Sequence, residues 1–205
     1  MSEKPKFKLH PWHGIPYGDE CPEKVTAFIE ITPSDTIKYE IDKLSGYLKV
    51  DRPQKYSNIV PALYGFIPQT YCAEKVADLN MAVSGRKGIL GDGDPLDILV
   101  LTNKHIVQSD ILVKAFPIGG LRLVDDNEAD DKIIAIMEGD DVFGAWKDIS
   151  DIPESIINSL KHYFLTYKQM PESQPILSVD EVYDRFTAYD VIRASIEDYR
   201  RHFGD

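Results

Sequence analysis

Residues 92–101 read Asp92-Gly93-Asp94-Pro95-Leu96-Asp97-Ile98-Leu99-Val100-Leu101. In an extended backbone the side chains of Asp92 and Asp94 lie on one face, and Pro95 bends the chain so that Asp97 can turn back toward them. The apolar run that follows predicts a buried strand. Three carboxylates this close repel one another, and hard cations prefer oxygen ligands. The stretch therefore predicts a magnesium, manganese or calcium site at the start of that strand.

Three other interpretations compete with this metal site. A cluster of Asp, Gly and Pro is most often only a polar turn. An EF-hand calcium loop fits poorly, because it needs glycine at its sixth position, where this chain has Asp97. A phosphatase with an aspartyl nucleophile would place its aspartates at the end of a strand, whereas here the strand follows them. The hexapeptide alone does not decide between a turn and a metal site.

Further charged and hydroxyl-bearing residues divide into an anionic set and a cationic set. In Ile37–Asp42, Lys38, Glu40 and Asp42 alternate with apolar residues, which predicts a strand that carries all three on one face. Other members of the two sets are Arg52, the acidic segment Asp125–Lys132, and Tyr167-Lys168 at the end of a predicted helix. Each one alone is typical of a solvated surface charge. Together they suit a site in which carboxylates hold metal ions while Lys, Arg and Tyr hold a highly charged phosphate ligand.

These segments follow one another in an order that resembles a known family. They are Phe28–Ile31, Ile37–Lys43, Gly46–Arg52, Tyr64–Ile67, Asp92–Ile98, Asp125–Lys132 and His162–Lys168. Over residues 25–170 the chain resembles the family I soluble inorganic pyrophosphatases. Val60 and Leu63 stand where many members have Tyr and Asn, which puts one phosphate-side hydroxyl in question.

The resemblance implies a fold and an activity. The implied fold is α+β and mainly β, an OB-like five-stranded β-barrel flanked by α-helices, with the site on the open side of the barrel. The implied activity is hydrolysis of inorganic pyrophosphate to two orthophosphates by metal-activated water, without a covalent intermediate. The implied cofactor is Mg²⁺, several ions per active site, with Mn²⁺ as a substitute. Members of the family form hexamers or dimers, so the resemblance also implies a homo-oligomer.

The resemblance further implies a role for each candidate residue. Asp94 is the implied catalytic residue, a general base close to the nucleophile. The implied metal ligands are Asp92, Asp97, Asp125, Asp126, Asp130, Glu30 and Glu40. The residues implied to bind substrate phosphates are Lys38, Arg52, Tyr64, Lys132, Tyr167 and Lys168. Among the metal ligands, Asp92, Asp97 and Asp130 hold the activating ions. Asp125 and Asp126 help to hold ions that arrive with the substrate, together with Glu30 or Glu40 through water.

Composition narrows the classes of function. The 205 residues, 43% of them hydrophobic, suffice for one ordinary core, so we expect a single domain over residues 1–205. The net charge of −11 makes nucleic acid an unsuitable partner, because nucleic-acid binding needs a basic groove. The N-terminus lacks the apolar core of a signal peptide, and no apolar run approaches a membrane span, so we expect a cytoplasmic location without a membrane partner.

Two non-enzymatic functions remain open from the sequence. A divalent-cation buffer or sensor would use the carboxylates alone, and would leave Lys38, Arg52, Lys132 and Lys168 without a purpose. An oligonucleotide-binding module, suggested by the barrel, would need aromatic residues interleaved with a basic stripe. Release of phosphate from pyrophosphate, with and without magnesium, distinguishes the three functions.

The hydrophobic pattern predicts strands first and helices last. The predicted strands are Ala27–Thr32, Ile37–Asp42, Leu48–Arg52, Tyr64–Pro68, Ile98–Leu101, Ile111–Pro117, Leu121–Asp125 and Lys132–Met137. Residues 71–90 are interpreted as a loop. One helix is predicted from about Pro153 to Lys168 and another from about Asp180 to Phe203, each with an apolar stripe that packs on the core.

Overall fold

The computed structural model describes residues 8–54, 58–167 and 177–204. Its strands are β1 (Val25–Ile31), β2 (Ile37–Ile41), β3 (Leu48–Pro53), β4 (Leu63–Phe66), β5 (Leu90–Gly91), β6 (Asp97–Leu101), β7 (Ile111–Asp125), β8 (Glu128–Ala129), β9 (Lys132–Met137) and β10 (Leu177–Asp184). Its helices are α1 (Glu74–Ser84), α2 (Glu154–Thr166) and α3 (Arg185–Phe203). Six of the eight predicted strands each correspond to one observed strand, with bounds that differ by at most two residues, and the other two both lie in β7.

Five strands form a closed ring. In order they are β1, β4, β6, β9 and β7, and β7 pairs with β1 to complete the ring. The pairs are antiparallel except for β6 and β9, which run in the same direction. In that parallel register Asp97 at the start of β6 lies opposite Lys132 at the start of β9. The predicted α+β fold with an OB-like five-stranded barrel is confirmed, and its register brings two predicted site residues side by side.

Strand β7 corrects the prediction of two separate strands, Ile111–Pro117 and Leu121–Asp125. It is one strand of 15 residues with a register shift between Pro117 and Gly119 against β9. Its first part pairs with β1 and its second part with β10. At Gly120 an added Cβ would lie 2.4 Å from ring atoms of Tyr183. The glycine pair that looked like a turn in the sequence is therefore a place where β10 packs closely on a continuous strand.

Helix α1 was missed, because the region 71–90 was interpreted as a loop. The residue before the helix is Ala73, which offers no side-chain cap, so the sequence carries no local start signal. The cap comes instead from the buried carboxylate of Asp198 on α3. It accepts hydrogen bonds from the backbone N–H groups of Ala73, Lys75 and Val76 at 3.0–3.1 Å. A tertiary contact across more than 120 residues thus replaces the missing local cap.

The predicted start of the last helix at Asp180 is wrong. Residues 177–184 form β10, which pairs with β7, and α3 starts at Arg185. The side chain of Asp184 caps α3 by accepting a hydrogen bond from the Thr187 N–H at 2.8 Å. Along the predicted stripe Ile192 and Ile196 are buried in the core, whereas the side chain of Phe186 is 60% exposed. The periodicity predicts the helix correctly but places its start five residues too early.

Helices cover the barrel on two sides. Helices α1 and α3 pack on one hydrophobic cluster, which contains alternate residues of β1, β6 and β9. Helix α2 packs on a second cluster, through Ile157, Leu160 and Phe164. Within the described parts of the chain, no helix combines the length and the apolar character needed to cross a membrane.

Asp140, three residues after β9, is 4% exposed and ties a turn together. Its carboxylate accepts hydrogen bonds from Thr102 Oγ1 and from the backbone N–H groups of Asn103, Val142 and Phe143, at 2.6–2.9 Å. Burial alone would raise the pKa of Asp140, but these hydrogen bonds outweigh burial and lower the pKa from 3.8 to about 2.

We predict that Asp140→Asn removes a pH-dependent part of the stability. Because the folded pKa lies below the unfolded one, this stabilisation is complete above pH 3.8 and disappears as the pH falls toward about 2. The difference in free energy of unfolding between wild type and variant, measured with urea, should be constant well above pH 3.8 and shrink below it. A difference that keeps its full size at the acid end of this range would contradict the assignment.

Candidate functional site

One cavity, of about 220 Å³, collects most of the predicted site residues at the open side of the barrel. The predicted residues that line it are Asp92, Asp94, Asp97, Asp125, Asp130, Glu30, Glu40, Lys38, Tyr64, Lys132 and Tyr167. They come from six strands, from the loop before β6, from the short connection between β8 and β9, and from the end of α2. The anionic and cationic sets of the sequence therefore share one enclosure.

The centre of the cavity wall is an ammonium between two carboxylates. The Nζ atom of Lys132 donates to Asp97 Oδ2 and to Asp130 Oδ1. Tyr64 on β4 donates its hydroxyl to the same Asp97 oxygen at 2.6 Å. Burial alone would lower the pKa of Lys132, but Asp130 and Asp97 hold it well above its usual value. Lys132 therefore stays charged although its side chain is only 4% exposed.

Asp92 and Asp94 lie on the tight loop that leads into β6. Gly93 between them has φ +71°, a left-handed conformation that favours glycine. Cys72 fixes the loop from behind: its carbonyl accepts from Gly93 N–H at 3.0 Å and its N–H donates to Asp94 carbonyl at 2.9 Å. At Gly91 an added Cβ would lie 2.3 Å from that same Cys72 carbonyl oxygen. The glycines thus let the loop pack closely against the chain just before α1, which sets the direction of both carboxylates.

The carboxylates interact unfavourably with one another in this environment. Burial raises the pKa of Asp92 well above its usual value, and the negative charge of Asp130 adds to the increase. Burial also raises the pKa of Asp97, although the ammonium of Lys132 opposes the increase. Desolvation penalises an anion unless a cation is near. The single ammonium of Lys132 does not compensate the negative charges of Asp92, Asp97 and Asp130, so the site favours a further positive charge.

Glu30 on β1 lies deep in the wall and is 6% exposed. One of its oxygens accepts a hydrogen bond from the backbone N–H of Ile41 at 2.7 Å. Burial, followed by the charge of Asp97, raises the pKa of Glu30 to about 8. This carboxyl group therefore binds a proton readily near neutral pH and joins β1 to the end of β2.

Strands β2 and β3 form the cationic side of the cavity. Lys38 and Arg52 are register partners, and both reach the carboxylate of Asp51, at 3.1 and 2.6 Å. The Nζ atom of Lys38 also lies 3.5 Å from Glu40. The guanidinium of Arg52 lies 5.8 Å from the ring centre of Tyr167, which lines the cavity. Asp51 thus holds two cations next to each other, Lys38 in the cavity wall and Arg52 beside it.

Four residues that the sequence placed at or beside the site are not found among the described residues of the cavity wall. Arg52 does not line the cavity itself and lies beside it. Asp126 is an exposed residue of the turn after β7, with φ +48°, and is not among the residues of the wall. Asp42, expected on the same face as Lys38, instead accepts from the N–H and hydroxyl of Ser45. Lys168 lies outside the described residues.

The two departures from the family pattern are core residues. Val60 is completely buried in the cluster beneath α2, and Leu63 is 2% exposed in the cluster beneath α1 and α3. Neither side chain lines the cavity. A tyrosine at position 60 would have to enter a packed core, so this position contributes to packing rather than to the site.

Three polar residues of the cavity wall were not predicted as site residues: Lys43, Glu128 and Tyr163. The Nζ atom of Lys43 pairs with Asp94 and lies 3.3 Å from the carbonyl of Gly93. Lys43 follows the alternating run 37–42 directly, so its charge was visible in the sequence. Its direction depends on the turn at residues 42–46, which the alternation does not specify. Tyr163, one turn before the end of α2, was read only as part of a helix.

The chemistry of the donors fits a hard divalent cation. The carboxylate oxygens around Lys132 are the ligands that Mg²⁺ and Mn²⁺ prefer. Across the described ranges 8–54, 58–167 and 177–204, no three Asp, Glu, His or Cys side chains converge as a ready ligand set. Asp97 and Asp130 instead hold the ammonium of Lys132, which supplies the positive charge between them.

Comparisons with known proteins agree on one family. The family model described as inorganic pyrophosphatase matches residues 27–200. An inorganic pyrophosphatase of Chlamydia muridarum is 50% identical over an alignment of 204 positions, and the match covers 97% of this chain and 98% of that protein. A soluble inorganic pyrophosphatase of Chlamydomonas reinhardtii is 34% identical and covers 95% of this chain and 90% of its own length. The crystal structure of inorganic pyrophosphatase from Thermus thermophilus has a TM-score of 0.78 at 31% identity, covering 94% of this chain and 99% of that one.

We predict that Lys132→Met destabilises the fold strongly when divalent cations are absent. The change leaves the carboxylates of Asp97 and Asp130, which are 22% and 14% exposed, without their cation. Breaking a buried pair in this way typically costs about 3–5 kcal/mol. Denaturant unfolding in excess chelator should show this loss, and Mg²⁺ or Mn²⁺ should restore part of it. Lys43→Met is the matched control: its ion pair with Asp94 is about half exposed and should cost less than about 1 kcal/mol. Equal losses in the two variants would contradict the central position of Lys132.

Proposed function

Because the chain belongs to the inorganic pyrophosphatase family and hydrolyses pyrophosphate to orthophosphate, we propose that the cavity around Lys132 is where this reaction takes place. The observation that carries the proposal is the presence of both sets of charges in one enclosure. Carboxylates alone would suit any cation, but Lys38, Lys43 and Lys132 on the same wall suit a polyanion as well.

Family I pyrophosphatases depend on metal ions, and we propose Mg²⁺ as the metal here, with Mn²⁺ as a substitute. The proposed ligands of the activating ions are Asp92, Asp97 and Asp130. Asp125 and Asp126 are proposed for ions that enter with the substrate, with Glu30 or Glu40 acting through water. When bound, such ions supply positive charge to the phosphate oxygens and acidify the attacking water. Asp126 would have to turn inward from its exposed position to take part.

Asp94 is proposed as the general base. Its side chain lines the cavity and is 48% exposed, with its Oδ1 atom covered by the ion pair with Lys43. The backbone N–H of Asp94 donates to Asp92 Oδ1 at 2.9 Å, which fixes the spacing of the two residues. A carboxylate in this position accepts the proton of the attacking water, and no covalent bond to the protein is needed.

The cationic residues are proposed to bind the substrate and the leaving phosphate. Lys38 and Arg52 act together because Asp51 holds them side by side. Lys132 provides charge at the buried end, and Tyr64, Tyr167 and Lys168 complete the set. Positive charge placed where negative charge develops is usually the largest contribution to catalysis. The alternatives, a cation buffer and an oligonucleotide-binding module, are not favoured, because neither uses this arrangement.

We infer a homo-oligomer, either hexamer or dimer, a cytoplasmic location, and a single domain over residues 1–205. The substrate is a small molecule, and we propose no nucleic-acid or membrane partner. The net charge of −11 supports the first of these absences, since it disfavours contact with phosphate backbones.

The activity itself is tested with purified protein and pyrophosphate. We expect two phosphates released for each pyrophosphate consumed, with release that depends on added Mg²⁺ and stops in excess chelator. A colorimetric phosphate assay measures both quantities. Undiminished release in excess chelator would be incompatible with the proposed metal chemistry.

Two isosteric variants separate the proposed base from a proposed ligand. Asp94→Asn should lower kcat by about 10²–10⁴-fold, because it removes the proton acceptor and leaves the ligands in place. Asp97→Asn should weaken metal binding, so that excess Mg²⁺ restores part of the rate. Rates measured across a Mg²⁺ titration compare the two. Identical responses to Mg²⁺ would show that the division of roles is wrong.

A further inference from the structure

Asp131 stands between two residues of the proposed site but faces away from it. Asp130 and Lys132 line the cavity, whereas Asp131 does not, as expected for consecutive residues of extended chain. Its side chain is 2% exposed. A carboxylate buried behind the wall is costly, so its surroundings indicate what it does.

The partner of Asp131 is Arg122 on the neighbouring strand β7. The Arg122 side chain is 1% exposed, and its Nε atom lies 3.7 Å from Asp131 Oδ1. On the other side its Nη1 atom donates to Glu181 of β10, whose side chain is 40% exposed. The strand register accounts for this line of charges, because Leu121 pairs with Lys132 and Arg122 pairs with Glu181. The chain Asp131–Arg122–Glu181 therefore crosses three adjacent strands behind the cavity.

Two neutral groups complete this buried cluster. The ring of Tyr183 lies 5.1 Å from the guanidinium carbon of Arg122, and Asn80 of α1 is 1% exposed. Several polar atoms of the cluster have no hydrogen-bond partner among the described residues: Asn80 Nδ2, Arg122 Nε and Nη2, Asp131 Oδ1 and Tyr183 OH. Tyr183 and Asn80 still face the Asp131 carboxylate as hydrogen-bond donors beyond ideal geometry. The cluster thus relies on charge attraction supported by weak, incompletely formed hydrogen bonds.

Such a cluster is a poor source of stability. Apolar residues of similar volume are often as stabilising as a buried ion pair, since the desolvation of both charges offsets their attraction. What the ion pair does provide is a fixed position. Asp131 can approach Arg122 only if residues 130–132 keep one particular register against β7. The same register determines where Asp130 and Lys132 project into the cavity.

We propose that Asp131 is a positioning residue, which acts with Arg122 and Glu181 to hold Asp130 and Lys132 at the cavity wall. The proposal rests on the proposed site, in which Asp130 is a metal ligand and Lys132 a phosphate-binding cation. Loss of the Asp131 carboxylate leaves the adjacent turn free to shift, and with it both site residues. Changes in groups that orient metal ligands commonly cost 10–100-fold in metal affinity or activity.

The test compares two buried aspartates at opposite ends of β9. Asp131→Asn removes the carboxylate beside the site, and Asp140→Asn removes one of similar burial at the far end, where Thr102 and local N–H groups hold it. Asp130→Asn serves as the direct-ligand variant. Binding of Mn²⁺ to the free protein is measured by electron paramagnetic resonance, and kcat and KM for pyrophosphate are measured at saturating Mg²⁺.

We expect Asp131→Asn to weaken Mn²⁺ binding by about tenfold or more and to lower kcat, whereas Asp140→Asn lowers only the stability. Arg122→Lys, which keeps the charge, should retain more activity than Arg122→Met. If Asp131→Asn does not fold, the Arg122 pair decides by the same readouts. The positioning role is overturned if Mn²⁺ affinity and kcat stay at wild-type values in Asp131→Asn, or match between the two Arg122 variants. Unchanged Mn²⁺ binding in Asp130→Asn would instead overturn the assignment of the site.

Discussion

The structure depends on one constraint: carboxylates gathered in a poorly hydrated wall need positive charge among them. Asp97 and Asp130 both accept a hydrogen bond from Lys132. Asp92 is close enough for the charge of Asp130 to raise its pKa. A single ammonium leaves the pKa of Asp92 and of Asp97 raised, so the balance of charge is incomplete. The general dependence of family I pyrophosphatases on metal ions fits this imbalance, since a bound cation would complete the balance of charge.

The barrel topology creates this constraint. The parallel pairing of β6 and β9 places Asp97 opposite Lys132, although the two residues are 35 positions apart in the sequence. The short parallel pair β5–β8 ties the loop that carries Asp92 to the segment that precedes Asp130. Both acidic segments are therefore fixed relative to each other by backbone hydrogen bonds. The two segments therefore cannot move apart to reduce the repulsion between their carboxylates.

Much of this could be predicted from the sequence, because the relevant signals are local. The hexapeptide 92–97 and the alternation in 37–42 depend on neighbouring residues, and both contain residues that line the cavity, although Asp42 of the alternating run does not. What could not be predicted depends on distant contacts. Helix α1 is capped by Asp198, and Asp126 turns outward because Asp126 and Asn127 both adopt positive φ. Asp131 lies within the acidic segment Asp125–Lys132, yet no local feature of the sequence distinguishes a carboxylate that faces Arg122 from one that faces the cavity.

The central claim is that the wall around Lys132 is a divalent-cation site, and anomalous X-ray scattering from crystals grown with Mn²⁺ tests it most directly. The account predicts anomalous peaks at the carboxylates of Asp92, Asp97 and Asp130, with the Lys132 ammonium displaced from between Asp97 and Asp130. Mn²⁺ bound only at the exposed turn of Asp126, with Lys132 still paired to both carboxylates, would contradict it.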